Sequence, residues 1–354
     1  MTNRPRVLYV DAFSDRNAQS NVRGTANAYR KAAWLYTFDY RESAGRLGPR
    51  LPWNRPDIWD EDKWRDSMDS AIDAMNAELL ETAVWLKPDF VHLGKCEIVR
   101  GHTVARIKEN TGAFVVHFYG DLSREVKPWV AEIGKAADIT LLYNRDVHLA
   151  RKHIEAGCRD VGFWWVGTDP DVYQPMPTPK DYDVIFFGRF IHESGAVRVR
   201  LIRELAGAGV RVHVFGTGWE ELQQNDRITV HPFVDEDGFA WACSRAKVSL
   251  SVNANDVPMY ASWRRIFNSM ACGTCTLVRW FPGLETVFKN GEQTVWFKSV
   301  DDACTAVERL LKDDRERERI AATGRAEVLR AHTWDHRIDE MLRLWRPEWH
   351  RPTS

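Results

Sequence analysis

Short apolar runs recur along this chain, and most stop at a glycine or an aspartate. Val7-Leu-Tyr-Val runs into Asp11, and Phe114-Val-Val-His-Phe-Tyr into Gly120-Asp121. Val184-Ile-Phe-Phe runs into Gly188, and Val210-Arg-Val-His-Val-Phe into Gly216. Runs of this length that are apolar on both alternating faces suit strands of a parallel sheet covered on both sides. Strands are therefore expected at 7–11, 90–93, 114–119, 139–143, 184–187, 210–215 and 248–252. The stretches between them carry helical spacing. Trp64, Met68, Ile72, Met75, Leu79 and Leu80, for example, recur at threes and fours, so one helix is expected over 60–86. Others are expected near 25–38, 100–110, 145–156, 195–207, 263–271, 301–312, 314–330 and 333–345, with a Gly- and Pro-rich surface loop over 39–60.

Strands that alternate with helices imply βαβ units and parallel sheets. The pattern runs twice, broken once by Pro170, Pro175, Pro177 and Pro179. A chain of 354 residues is long enough for two domains of the usual ~100–200 residues. The expectation is α/β, with an N-terminal domain over 1–175, a Pro-rich hinge, a second domain over 176–332, and a last helix within 333–354 packing back on the first. In such folds ligands bind at the carboxyl ends of strands, here expected to face each other across a cleft.

Charge narrows the function classes little. Forty-nine basic and 50 acidic residues leave a net charge of −1, so nothing global points to nucleic acid or an anionic membrane. No apolar run reaches the ~18–20 residues of a membrane span, and polar Met1–Arg6 does not read as a signal peptide; a cytoplasmic location is expected. Six irregularly spaced cysteines read as reduced, buried thiols, and a lone Cys272-Gly-Thr-Cys275 lacks the second ligand pair of a zinc site.

The residues with chemical promise cluster after strands. Gly188-Arg189 and the helix start near Ser194-Gly195 can meet a phosphate through free N–H groups, with Arg198 and Arg200 adding charge. Gly216-Thr-Gly218 repeats the device, and Trp219 and Trp263 flank these loops as stacking candidates. Arg264 and Arg265 open a helix, where a cation is unfavourable unless an anion is near. Each feature also has a plain reading as a tight turn or a solvated face. In the first domain, Asp121 is a candidate acceptor contact or general base, with His117 on the same strand and Asp11 as a further candidate. Asn17, Gln19, Asn21 and Arg23, in a polar loop over 14–24, are candidates to contact sugar hydroxyls or a diphosphate, with Asp11, Asn21 and Arg23 on the acceptor side.

Over residues 183–340 the chain resembles the GT-B glycosyltransferases of the family 4 type, nearest to the spore-maturation CgeB-like branch. The resemblance rests on FFGR (186–189), VFGTGW (214–219), RIFNSMACGT (265–274), NGEQTVWF (290–297), IAATGRAEVL (320–329) and HTWDHR (332–337). KPDFVHL (87–93), VVHFYGD (115–121) and DPDVYQP (169–175) match more loosely. It implies two Rossmann-like domains and a nucleoside-diphosphate sugar as co-substrate, with no other cofactor and no metal. Arg189 and Arg265 would neutralise the leaving diphosphate, and His117 would lie near the donor sugar. Retention of anomeric configuration is implied as well. The family's two glutamates, eight positions apart, are replaced here by Tyr260 and Asn268; the second normally contacts the ribose, and Asn268 can do so as a neutral group. Four Asp-x-Asp triplets, at 60/62, 169/171, 181/183 and 235/237, are near what chance gives, and none is read as a metal site.

The leading expectation is sugar transfer from a nucleotide sugar to a hydroxyl acceptor. Ten basic against six acidic residues within 1–60 keep a hydroxylated DNA base open as that acceptor; Arg4, Arg6, Arg16, Arg23, Arg30, Lys31, Arg41, Arg46, Arg50 and Arg55 would line the groove. A nucleotide-sugar binder without turnover is the second class, and a nucleotide-dependent epimerase a more distant third.

Overall fold

The computed structural model describes residues 4–14, 19–47, 69–121, 125–143, 145–190, 192–252 and 263–348. The chain divides into two compact units. The first runs to Trp165 and resumes at Arg337; the second is Val166–His336.

The first unit begins β1 (Arg6–Asp11), α1 (Gln19–Ala32), β2 (Trp34–Asp39), α2 (Tyr40–Leu47), α3 (Asp69–Leu86) and β3 (Phe90–Leu93). It continues α4 (Gly101–Thr111), β4 (Phe114–Tyr119), α5 (Pro128–Ala136), β5 (Ile139–Leu142), α6 (Val147–Glu155) and β6 (Val161–Phe163). Its six parallel strands lie in the order β2-β1-β3-β4-β5-β6. Leu8, Val10, Val91, Leu93 and Val115 meet Ile72, Met75, Leu79, Val104 and Ile107 in its core.

Two expectations fail here. Trp34–Asp39 was expected to continue a helix; it is the outer strand, with Val7 paired to Leu35 and Asp11 to Asp39. Its aromatic and β-branched residues favour a pleated edge, and the Trp34, Leu35, Phe38 spacing only imitates a helical stripe. The expected loop after it holds α2. Asp39 caps that helix, its Oδ1 accepting from the N–H groups of Arg41 (3.0 Å) and Glu42 (2.9 Å).

The second unit is built as β7 (Tyr182–Phe187), α7 (His192–Gly207), β8 (Val212–Phe215), β9 (Ile228–His231), α8 (Glu236–Arg245), β10 (Ala246–Ser251) and α9 (Trp263–Ala271). Then follow β11 (Cys275–Arg279), β12 (Val295–Phe297), α10 (Val300–Lys312) and α11 (Asp314–Ala331), and the last helix, α12 (Trp334–Trp345), passes into the first unit at Arg337. Its parallel strands run β12-β11-β10-β7-β8-β9. The boundary lies at 165/166 rather than in the Pro-rich stretch, because that stretch is packed down. Met176 N–H donates to Ser244 Oγ (3.0 Å), and Tyr173 sits edge-on to Phe239 (5.7 Å). From Arg337 the chain rejoins the first unit, where Trp345 meets Phe90 and Trp164 Nε1 donates to the Arg337 carbonyl. Among the described residues no helix is long and apolar enough to cross a membrane.

A loop at the carboxyl end of β3 locks the first sheet. Gly94 N–H donates to Val10 O (2.8 Å), and Cys96, held at φ 55°, turns its thiol to the same carbonyl. Glu97, 1% exposed, accepts from Arg41 through Nε (3.0 Å) and Nη2 (2.6 Å), and from Tyr40 Oη (2.5 Å). Removing one partner of a buried pair leaves the other charge stranded, which costs about 3–5 kcal/mol. Arg41→Met should lose that much in urea denaturation. Arg41→Met combined with Glu97→Leu should recover most of it.

Candidate functional site

In the second sheet the connections leave β7 in one direction and β10 in the other, so these neighbours flank the switch point. Open α/β sheets bind ligands at the carboxyl ends there. β7 ends in Phe187-Gly188-Arg189. The loop after β8 closes against it: Gly188 N–H donates to Phe215 O (2.9 Å) and Phe190 N–H to Thr217 O (2.9 Å). A Cβ on Gly216, at φ 146°, would meet Gly188 O at 2.1 Å, so only glycine permits the approach. Gly218, at φ 84°, packs on Phe190 in the same way.

Three successive carbonyl oxygens past β7 are each taken by a side chain from a different segment. Arg265 Nη1, from α9, donates to Phe187 O. Trp219 Nε1, from the loop after β8, donates to Gly188 O (2.7 Å). Arg198 Nη1, from α7, donates to Arg189 O (3.2 Å), while its Nη2 reaches Val252 O (3.2 Å) past β10. Arg198 is therefore a buried tie between the two switch-point strands, with its guanidinium over Phe186. Arg264 is half-buried in the first turn of α9, and Arg189 is exposed. Gly188, Arg189, Arg198, Gly216, Gly218 and Arg265 thus meet at one edge.

Three expected ligand contacts take other roles. Trp219 is wholly buried, edge-on to Phe186 (5.6 Å) and Phe190 (5.4 Å), so no ring face is left for a base or sugar. Asn268 is buried on the core side of α9, and its Oδ1 accepts from Thr168 Oγ1 (2.8 Å). Trp263, likewise buried, stacks on Phe267 rather than on a ligand. Tyr260, Asn253, Asn255 and Asp256 lie outside the described residues.

The first unit has its own switch point, between β1 and β3. Asp11 ends β1, with Oδ2 accepting from Tyr9 Oη (2.7 Å) and Oδ1 from Ala12 N–H (2.8 Å). Gly94 makes its room, since a Cβ there would meet Oδ2 at 2.1 Å. Burial pushes this carboxyl up to about 6. Lys95 of the same loop joins the other two candidates. Its carbonyl meets His117 Nε2 (3.2 Å), and its ammonium pairs with Asp121 (2.8 Å). His117 was expected near the donor sugar, but it is fully buried, and burial holds its pKa down at about 4. It is a neutral core group at neutral pH. Asp121 is half-exposed. Asn21 and Arg23 lie in the first turns of α1, Asn21 half-buried and Arg23 exposed; Asn17 is outside the described residues. Lys95, Glu97 and Tyr9 escaped the sequence reading, because no local motif marks a residue whose partners lie on other strands.

Three of the ten basic residues of 1–60 are held in ion pairs. Arg6 pairs with Asp89, Arg41 with Glu97 and Arg46 with Glu78, while Arg16, Arg50 and Arg55 lie outside the described residues. A hollow of about 500 Å³ lies between β2, α2 and α3, but Asp39, Glu42, Glu78 and Glu81 line it, which suits no diphosphate. The Asp-x-Asp triplets hold the fold. Asp169 accepts from Asp171 N–H, Asp181 pairs with Arg245, Asp183 pairs with Arg211 and Lys247, and Asp235 caps α8; Asp60 and Asp62 are outside the described residues. Among the described residues no cluster of three or more His, Cys, Asp or Glu is placed to hold a metal ion. All six cysteines are free, five of them buried.

Residues 198–343 match the family model described as glycosyl transferase-like. That match covers less than half of the chain, and the solved structures that superpose on it show its GT-B fold. Sucrose-phosphate synthase from Thermosynechococcus elongatus superposes with a TM-score of 0.70 at 16% identity, over 97% of this chain and 99% of that one. A glycosyltransferase from Rickettsia africae gives 0.66 at 12% identity, over 98% of both chains. Anabaena HepE in complex with UDP-glucose gives 0.63 at 13%, over 96% of this chain and 99% of that one. No curated protein sequence matches the chain.

Two measurements test this reading of the protein's interior. Trp219→Phe strands Gly188 O, so it should lower stability by about 1–3 kcal/mol. His117 binds its proton near pH 6.5 when unfolded but only near 4 when folded, so its contribution erodes as pH falls from 6.5 to 4. Asp11 acts in the opposite sense, folded-state protonation near 6 adding stability as pH falls toward 3.8. Urea midpoints for His117→Gln should therefore fall less steeply than wild type between pH 6.5 and 4, a difference on the order of 3 kcal/mol.

Proposed function

We propose that this protein is a glycosyltransferase that moves a sugar from a nucleoside-diphosphate sugar to a neutral hydroxyl acceptor. The convergence of Arg189, Arg265 and the β7 loop at the switch-point edge of the second sheet carries this reading, with Arg198 tying that loop to the residue after β10. Guanidinium groups match phosphate oxygens, and glycines at 188, 216 and 218 let a ligand approach the backbone. The start of α9 adds its positive dipole end. Protein charge of this kind takes up the leaving diphosphate's charge without a metal ion. HepE with UDP-glucose makes UDP-glucose the first donor to try. Retention of configuration and the CgeB-like branch follow from the resemblance and belong to the same proposal.

For the acceptor, the carboxyl ends of β1 and β4 in the first unit are the favoured surface, with Asp11 as the proton-accepting candidate. A carboxyl titrating near 6 is a better base at neutral pH than an exposed one held in an ion pair such as Asp121. The ion pairs of Arg6, Arg41 and Arg46 argue against a phosphate backbone as the acceptor.

A thermal-shift panel of UDP, GDP, ADP, CDP and dTDP with their common sugars, without added metal, tests the donor site. A ligand at 100 times its Kd should stabilise the fold by about 2.7 kcal/mol. One nucleotide should stand out, and Arg265→Ala should weaken it tenfold or more, since a hydrogen bond to a charged group contributes about 1.5–3 kcal/mol. No shift with any nucleotide rejects the reading. Binding without transfer or donor hydrolysis would make the chain a binding module instead.

A further inference from the structure

Ser251 closes β10. It is 3% exposed, and its hydroxyl has no hydrogen-bond partner among the described residues. The buried hydroxyls around it are satisfied. Ser249 and Ser269 bond each other (2.9 Å), Thr274 donates to Cys243 O, Thr276 to Thr274 O, and Thr294 to Thr276 O. A buried hydroxyl without a partner is destabilising, so an orphan at a switch-point strand end points to a ligand.

Two independent placements put Ser251 beside Arg265. Leu250 pairs with Phe186, so Ser251 lies next to Phe187, whose carbonyl Arg265 holds. The second comes from α9. Val248, Leu250 and Val252 face the core on one side of β10, so Ser249 and Ser251 share the opposite face, and Ser249 meets Ser269 of α9. β10 and β11 are parallel, so the helix joining them runs back antiparallel. Two strand residues rise about 6.6 Å, and at about 1.5 Å per helix residue that is roughly four residues back along α9, from Ser269 to Arg265.

We propose that Ser251 donates its hydroxyl hydrogen to a phosphate oxygen of the donor diphosphate, beside Arg265. The inference rests on the second unit being the donor-binding half. Neither the glycine loops nor the arginine pair marks this residue in the sequence.

The test titrates wild type, Ser251→Ala and Ser249→Ala with the nucleoside diphosphate that wild type selects from UDP, GDP, ADP, CDP and dTDP, and with its phosphate-free nucleoside. Ser251→Ala should weaken the diphosphate roughly tenfold, leave the nucleoside unchanged, and melt without ligand at or above the wild-type temperature, because an orphan hydroxyl is gone. Ser249→Ala breaks a satisfied pair, so it should melt lower yet bind as wild type does. A Ser251→Ala variant that binds the diphosphate as tightly as wild type overturns the inference. Wild type that binds none of the five overturns the donor-site reading itself, before any variant is compared, and the inference falls with it.

Discussion

The second unit depends on how the carbonyl oxygens past β7 are satisfied. A strand end inside a packed domain exposes acceptors that no neighbouring strand can reach, and each must find a donor. Here Phe187, Gly188 and Arg189 find theirs in Arg265, Trp219 and Arg198, from α9, the β8 loop and α7. One short stretch of backbone therefore ties together three segments far apart in sequence. Because two of the donors are arginines, satisfying the backbone also brings cationic side chains to the edge where α/β sheets take ligands. Gly216 is the condition for this arrangement, since any side chain there would strike Gly188 O before the β8 loop could bring Trp219 into place.

The first unit solves the same strand-end problem with the opposite charge balance. Its switch point carries Asp11 and Glu97 with Arg41, Tyr9 and Tyr40, and Lys95 pairs with Asp121 nearby. Arg41 is committed to Glu97, which leaves Asp11 to a tyrosine hydroxyl and a backbone N–H. Desolvation then outweighs those two donors and raises its proton affinity. A carboxyl in that state suits a neutral hydroxyl better than a phosphate. The two sheets share topology yet offer different chemistry at their carboxyl ends.

Much of this was legible in the sequence. Most strands were read within a few residues, and so were α4, α6, α7 and α9 to α12, because periodicity over several turns is a strong signal; α5 and α8 were not read, and α1 ends six residues before the helix expected over 25–38. β6, β9, β11 and β12 were missed as well. Trp34–Asp39 was misread because an edge strand with exposed Trp34 and Tyr36 lacks the unbroken apolar run of its buried neighbours. At the site, residues whose role is set by their own loop, such as Gly188 and Gly216, were visible. Residues whose role depends on a partner across the sheet, such as Lys95, Glu97 and Ser251, were not.

Asn268 shows how a residue in a family motif takes its role from its surroundings. Standing where the resemblance places a ribose-binding glutamate, it is buried and joined to Thr168, whose backbone in turn pairs with His332 and Trp334 beside the start of α12. A carboxylate in that setting would be a buried charge facing a neutral hydroxyl, which is costly unless the group is further paired or protonated. The amide accepts the same hydrogen bond without charge, so asparagine is suited to hold the Thr168 strand against α9. Asn268 thus makes a packing contact where the resemblance implies a ribose contact.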